Sequence, residues 1–148
     1  MDLRTTFPRS LKERLGPYLH LPRMIDKCRA KRAGTLGEYI YPCPLDARFL
    51  EFTSIQADDL FMAVESRTDE EVLEWVSHHA TNRTDQEIQD WNAMMLTRGP
   101  DTEEKRLFFR EVRASIDPSR HDITAWADLL DLEEGRDVPI RNPVEPAP

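Results

Sequence analysis

The second half of the chain repeats one pattern, in which apolar residues recur every three or four positions, as on a single helix face. The first of these faces consists of Leu60, Phe61 and Val64. The next two stretches begin with Thr-x-x-Glu, at Thr68 and at Thr84. This sequence predicts a capping box, in which the first and fourth residues exchange hydrogen bonds at the start of a helix. The pattern therefore predicts a succession of capped helices.

The ends of the later helices are marked by glycine and proline. Gly99, followed by proline, and Gly135 are predicted to stop two helices, and a third is predicted to end at Asp117 before Pro118. Asp101 is predicted to open the helix that ends at Asp117, and Asp122 is predicted to cap the last helix.

The first half is less regular. Its first twenty residues are predicted to be irregular, because prolines and a glycine interrupt them. LPRMIDKCRAKRA is predicted to form a helix that Gly34 ends, with Cys28 on its apolar face, and a short helix is predicted to begin at Pro44. Between these helices, EYIYP is predicted to form one short extended piece.

These elements predict an all-α fold, a small multi-helix bundle with an irregular Gly/Tyr/Pro-rich segment at about residues 34–44. We predict a single helical domain over residues 1–135. Residues 136–148, RDVPIRNPVEPAP, are predicted to be a Pro-rich tail that is disordered or draped over the bundle.

Composition limits the class of protein. A chain of 148 residues hides about 68–70% of its unfolded surface on folding, so it can form a core without disulfides. The two cysteines are expected to be reduced, and the first residues lack the apolar stretch of a secretory signal. No apolar run reaches the roughly 20 residues of a membrane helix. We therefore predict a cytoplasmic protein with no membrane contact.

Charge is divided along the chain. Residues 1–50 hold ten Lys/Arg and five Asp/Glu, whereas residues 51–148 hold ten and twenty-three, and the net charge is −8. An acidic protein is a poor general nucleic-acid binder, because that affinity comes mostly from neutralising phosphates. The basic first part can still hold one small anion.

The candidate binding residues lie in this basic part, beside the stretch GTLGEYIYPCPLDARFLEF at residues 34–52. Arginine offers a fork of donors to phosphate or carboxylate, and tyrosine is common at binding surfaces. The predicted ligand-binding residues are Arg23, Lys27, Tyr39 and Tyr41. The wider basic set consists of Arg14, Arg23, Lys27, Arg29, Lys31 and Arg32. The alternative is an ordinary solvated helix face paired with the acidic second half.

Catalysis is the competing hypothesis. Cys43 is held between two prolines, and His20 and Asp46 are candidate partners that could activate it. Glu38 could act as a general acid if burial raised its pKa. Each of these residues also has a structural alternative. Cys43 could simply pack in the core, and Glu38 could cap backbone N–H groups or pair with an arginine. Asp46 could interact with the helix dipole from the first turn. The sequence contains no nucleophile motif and no phosphate-binding glycine loop.

No metal or cofactor is predicted. His78 and His79 are adjacent, so on a helix they project about 100° apart and cannot readily share one ion. His79 continues an apolar stripe and is expected to be a core histidine.

RLGPYLHLPRMIDKCRAKRAGTLGEYIYPCPLDARFLEF closely resembles the signature of a bacterial family of small proteins that is described only as a domain of unknown function. WVSHHATNRTDQEIQDWN is similar to a second, weaker stretch of that pattern. The resemblance covers about residues 9–95, and the region after about residue 97 looks like a lineage-specific extension. The resemblance implies no activity.

Three functions remain open. The first is a non-catalytic helical module that binds a protein partner or a small anionic ligand through residues 14–46. The second is a small enzyme whose site is built from Cys43, His20, Glu38 and Tyr41. The third is a structural protein that forms a homodimer, because tyrosine and arginine are enriched at interfaces.

Overall fold

The computed structural model describes residues 1–141 and confirms the all-α class. Within these residues it contains one small antiparallel hairpin and seven helices. The strands are β1 (Arg14–Leu15) and β2 (Tyr18–Leu19). The helices are α1 (Leu21–Ala33), α2 (Pro44–Thr53), α3 (Ala57–Val64), α4 (Asp69–His79), α5 (Asp85–Thr97), α6 (Glu103–Ile116) and α7 (Trp126–Glu133).

The chain divides into two compact units, Met1–Asp90 and Trp91–Pro148, and each is described by itself. The single domain predicted over residues 1–135 stays a prediction. Of the predicted tail, residues 142–148 lie outside the described residues. In the part that is described, Val138 is buried and Arg141 forms an ion pair with Asp128.

The hairpin lies in the part of the chain that we expected to be irregular. Arg14 pairs with Leu19 and Leu15 with Tyr18, and Gly16 adopts a φ of 56° in the turn between them. The extended piece predicted for EYIYP is wrong, because residues 38–42 form no strand. The extended pairing therefore occurs before α1 rather than after it.

Helix α1 is the central element of the first unit and packs against the hairpin and α3. Nine of its thirteen residues are buried, and they include the charged Arg23, Asp26 and Lys27. Gly34 ends the helix in the left-handed conformation, as predicted. Because buried charges need partners, these three side chains require hydrogen bonds or ion pairs within the unit.

The predicted capping boxes at Thr68 and Thr84 are confirmed. In each, the threonine Oγ1 accepts a hydrogen bond from the glutamate N–H, and the glutamate carboxylate accepts one from the threonine N–H. The start of α6 is displaced by one residue, because Thr102 rather than Asp101 accepts the capping bond from Lys105. These contacts fix the helix starts locally.

In the second unit, α6 packs against α7 around the buried residues Phe109, Ile123, Leu129 and Val138. The predicted cap at Asp122 is wrong. Helix α7 begins at Trp126, and the Asp122 carboxylate instead pairs with Arg120 and accepts a hydrogen bond from the Arg141 N–H.

Candidate functional site

Four side chains from three parts of the first unit meet in a polar cluster, which consists of the buried His20, Lys27 and Asp46 and the half-buried Cys43. His20 lies at the junction of the hairpin and α1 with a φ of 74°, and Lys27 lies in the middle of α1. Cys43 and Asp46 form the start of α2. The structure thus brings together three of the predicted catalytic suspects and one predicted ligand-binding residue.

Cys43 and Asp46 cap α2 reciprocally. The Cys43 N–H donates to Asp46 Oδ2 at 2.9 Å, and the Asp46 N–H donates to Cys43 Sγ at 3.5 Å. Cys43 therefore takes the position that serine or threonine usually holds in a capping box. This role gives Cys43 and Asp46 a structural function whether or not the cluster binds anything.

Asp46 also accepts hydrogen bonds from both other members of the cluster. His20 Nε2 lies 2.7 Å from Asp46 Oδ1, and Lys27 Nζ donates to Asp46 Oδ2 and to Cys43 Sγ, the latter at 3.2 Å. Since a carboxylate only accepts, His20 carries its proton on Nε2. His20 Nδ1 is buried and has no hydrogen-bond partner within the described residues.

The surroundings of His20 and Asp46 shift the pKa values of both side chains. Burial lowers the pKa of His20, so its imidazole is neutral and Nδ1 is a bare acceptor. Burial alone would raise the pKa of Asp46, but its hydrogen bonds with His20 and Lys27 and the Lys27 charge lower it instead. A neutral histidine, a carboxylate and an ammonium group therefore share one buried volume.

The cysteines are poor nucleophiles in this environment. Burial raises the pKa of the Cys43 thiol, and the Asp46 charge raises it further, while Lys27 acts in the opposite direction. Burial raises the pKa of Cys28 to about 12, and this residue lies in the core as predicted. Because the thiolate is the reactive form, neither cysteine is activated at neutral pH.

The remaining predicted site residues lie outside the polar cluster. Glu38 is exposed. Tyr41 is buried, and its hydroxyl donates to the Ala57 carbonyl at 2.8 Å. Arg23 is buried beside Tyr39, with its guanidinium carbon 5.6 Å from the centre of the tyrosine ring. Of the four predicted ligand-binding residues, Arg23 and Tyr39 contact each other, whereas Lys27 contacts Asp46 and Tyr41 contacts Ala57.

Three arginines line an open cleft on the same unit, which we name the arginine cleft. Its volume is about 430 Å³. Its lining residues are Arg29, Arg32, Ala33, Val64, Glu65, Ser66 and Arg67. Arg29 and Arg32 belong to the predicted basic set, whereas Arg67 was missed, because it follows α3 and is distant in sequence.

Backbone carbonyls hold these arginines. Arg29 donates to the Arg67 carbonyl at 3.1 Å, Arg32 to the Phe61 carbonyl at 3.1 Å, and Arg67 to the Ala63 carbonyl at 2.7 Å. These bonds fix part of each side chain.

Carboxylates pair with two of the three arginines. Arg32 lies 3.3 Å from Glu65, and Arg29 lies 2.9 Å from Asp69. Asp69 is shared with Arg9, which also binds the buried Asp26 through three hydrogen bonds. Sequence reasoning missed Arg9, because nothing in the pattern of the first twenty residues indicates this long-range contact.

A second cleft, of about 540 Å³, lies beside α3 and α4, and we name it the ring cleft. Its lining residues are Ser54, Ile55, Gln56, Asp59, Met62, Ala63, Arg67, Trp75 and His79. The rings of Trp75 and His79 stack at 4.2 Å with 19° between their planes. The expected core position of His79 is wrong, since its side chain is exposed at the end of α4.

Within residues 1–141, no three His, Cys, Asp or Glu side chains are grouped so that they could hold a metal ion. No helix in that part of the chain is both long and apolar enough to cross a membrane.

These observations define a small helical protein with a polar cluster and two open clefts on its first unit. Residues 5–136 match the family described as "Domain of unknown function (DUF5069)", and the chain belongs to this family. The match extends past residue 97, so the expectation of a separate extension there is wrong. No curated protein gives a significant match.

Proposed function

We propose that this chain is a non-catalytic module of the bacterial cytoplasm that binds a small anionic ligand in the arginine cleft. The observation that supports this proposal is the convergence of Arg29, Arg32 and Arg67 on one cleft. Two of these residues come from the basic first part of the chain, and the third comes from the acidic remainder.

The charges of the cleft favour an anion. Three arginines line it, with Glu65 as the one carboxylate of its lining, while Asp69, outside the lining, pairs with Arg29. The Arg32–Glu65 pair is exposed, and such pairs contribute about 0–1 kcal/mol, so an entering anion can displace Glu65 at small cost. A ligand with two or more negative charges gains a charge-assisted bond from each arginine that it reaches.

The size of the cleft favours a small ligand over a protein partner. Ligand sites in proteins have volumes of about 300–1,000 Å³, and the arginine cleft falls in this range. Stable protein interfaces need a broad surface of about 800 Å² per partner. We therefore place the small anion ahead of the protein partner.

The test is isothermal titration calorimetry with inorganic pyrophosphate and citrate as probes, on wild type, Arg32→Ala and Arg106→Ala. Arg106 lies on the exposed side of α6, so its variant removes the same charge elsewhere. The proposal requires binding that weakens at least tenfold in Arg32→Ala and is retained in Arg106→Ala. Equal weakening in both variants, or no binding of either probe, would reject it.

The enzyme hypothesis keeps one specific observation in its favour. His20, Cys43 and Asp46 are joined through hydrogen bonds, and His20 Nδ1 lacks a partner within the described residues. Glu38 and Tyr41 are not part of that arrangement. The raised pKa of Cys43 favours the structural role, and the reactivity of the thiol decides between the two.

The homodimer stays a prediction. A native mass spectrum of the purified protein reports its oligomeric state and any ligand that remains bound through purification.

A further inference from the structure

The ring cleft and the arginine cleft share one lining residue, Arg67. The arginine cleft supplies positive charge, whereas the ring cleft supplies two aromatic rings and apolar side chains. Its lining includes the buried Ile55 and Ala63 and also Met62, which is 65% exposed. Methionine is flexible and polarisable, so it can adapt to a flat group placed next to it.

The stacked pair in the ring cleft is fixed by a hydrogen bond. His79 Nδ1 lies 2.8 Å from the Trp75 carbonyl oxygen, one helical turn earlier. Since a carbonyl only accepts, Nδ1 carries the proton, and in the neutral ring Nε2 is then a bare acceptor. The imidazole is thereby held parallel to the indole, as a surface on which another planar ring can stack.

Polar groups of the ring cleft complement the edge of a heterocycle. Asp59 offers carboxylate oxygens and Gln56 an amide, in addition to His79 Nε2. These acceptors suit a ring that carries N–H or NH₂ donors. An aliphatic anion would leave both the aromatic rings and these acceptors unused.

We infer that the anion bound in the arginine cleft carries a planar heteroaromatic ring, which stacks on the Trp75–His79 pair while Arg67 contacts the region between ring and anion. This inference rests on the proposed function and specifies its ligand class: a heteroaromatic phosphate or carboxylate, with mononucleotides as the simplest representatives.

The experiment compares ligands that share an anion and differ in the ring. The probes are ribose 5-phosphate and the four nucleoside monophosphates AMP, GMP, CMP and UMP, titrated into wild-type protein by calorimetry. Stacking of a base on an aromatic side chain strengthens binding by about five- to 150-fold. We expect at least one nucleotide to bind tenfold more tightly than ribose 5-phosphate.

Variants identify where the ring binds. Trp75→Leu and His79→Ala should remove the advantage of the nucleotide and leave the affinity for ribose 5-phosphate unchanged. His78→Ala is the matched control, because His78 is the exposed neighbour that does not line the cleft. Circular dichroism and the melting temperature show whether each variant is folded.

Each outcome decides the inference. The inference is wrong if no nucleotide binds more tightly than ribose 5-phosphate. It is also wrong if the higher affinity for the nucleotide is retained in Trp75→Leu and His79→Ala. In either case, pyrophosphate binding that Arg32→Ala removes would leave the proposed function intact. If pyrophosphate, citrate and ribose 5-phosphate all fail to bind, both the proposed function and the inference are rejected.

Discussion

Lys27 and Asp46 form an ion pair in which neither side chain is more than 3% exposed to solvent. Desolvating two charges is costly, and their attraction offsets that cost only when further hydrogen bonds complete the geometry. Asp46 has these bonds, because it also accepts from His20 and from the Cys43 N–H. The pair thus joins α1 to the start of α2, and it makes Lys27 a poor free ligand for an external anion.

Asp46→Asn should destabilise the protein strongly, because it leaves the Lys27 ammonium buried without a compensating charge. We expect the free energy of unfolding to fall by about 3–5 kcal/mol in urea denaturation. Lys27→Met combined with Asp46→Asn should cost less than the sum of the single variants. Asp101→Asn, which removes the charge that pairs with Arg98 and Lys105 at the surface, is the control and should not change stability measurably. A similar effect of both single aspartate variants would contradict this account.

Stability should decrease as the pH falls below about 6.5, because His20 is neutral in the folded protein. Burial lowers its folded-state pKa, so the unfolded chain takes up a proton first as the pH falls. The contribution of His20 to the free energy of unfolding is fully present above its pKa in the unfolded chain. It is lost as the pH falls towards the folded-state pKa, and the free energy of unfolding then changes by at most about 1.4 kcal/mol per pH unit. Asp46 has a lowered pKa, so its contribution is lost only below about pH 4.

The measurement is urea denaturation at pH 7.5, 6.5 and 5.5 on wild type, His20→Asn and His78→Asn. Asparagine removes the titrating ring and tolerates the positive φ of this position. His20→Asn should flatten the pH dependence, whereas His78→Asn should keep the wild-type slope. An unchanged slope in His20→Asn would show that another group is responsible.

Cys43 acts as an N-cap, and serine should replace it without loss. Serine is a better capping acceptor than a thiol, so Cys43→Ser should keep or increase the free energy of unfolding. Cys43→Ala removes the acceptor for the Asp46 N–H and should cost about 0.5–2 kcal/mol. The comparison by urea denaturation would reject the capping role if both variants lost the same amount.

The Cys43 thiol should react slowly with iodoacetamide at pH 7.5, because burial raises its pKa and the thiolate is the attacking species. We expect its rate, followed by mass spectrometry, to be below that of an unfolded peptide spanning residues 40–46. Cys28, buried in the core, should be slower still. A rate above that of the peptide would support the enzyme hypothesis instead.

Local signals in the sequence predict the helices well. The Thr68 and Thr84 capping boxes and the stop at Gly34 depend on residues within one turn of each other, so a short window of sequence contains the whole interaction. The same holds for the start of α2 at Pro44, although the capping role of Cys43 was not anticipated.

The candidate site is less predictable, because its contacts join residues far apart in the chain. Arg67 meets Arg29 across 38 positions and Arg9 meets Asp69 across 60, and no periodicity encodes such pairs. His79 follows the apolar spacing of Val72 and Val76, yet it lies at the end of α4, where it is exposed. Spacing identifies a helix face, but burial depends on what covers that face.

Gly99 should tolerate alanine less well than Gly34, and the reason is close packing rather than helix termination. A Cβ at Gly99 would lie 2.5 Å from the Thr124 carbonyl oxygen, which belongs to the backbone and cannot rotate away. We expect Gly99→Ala to lower the free energy of unfolding by about 1–3 kcal/mol, as in other overpacked sites. Gly34 has a φ of 72° and open space around its Cβ position, so alanine there adds only the cost of a left-handed conformation, about 1 kcal/mol. Urea denaturation of both variants measures the difference, and a Gly99→Ala variant as stable as wild type would show that the approach to Thr124 relaxes freely.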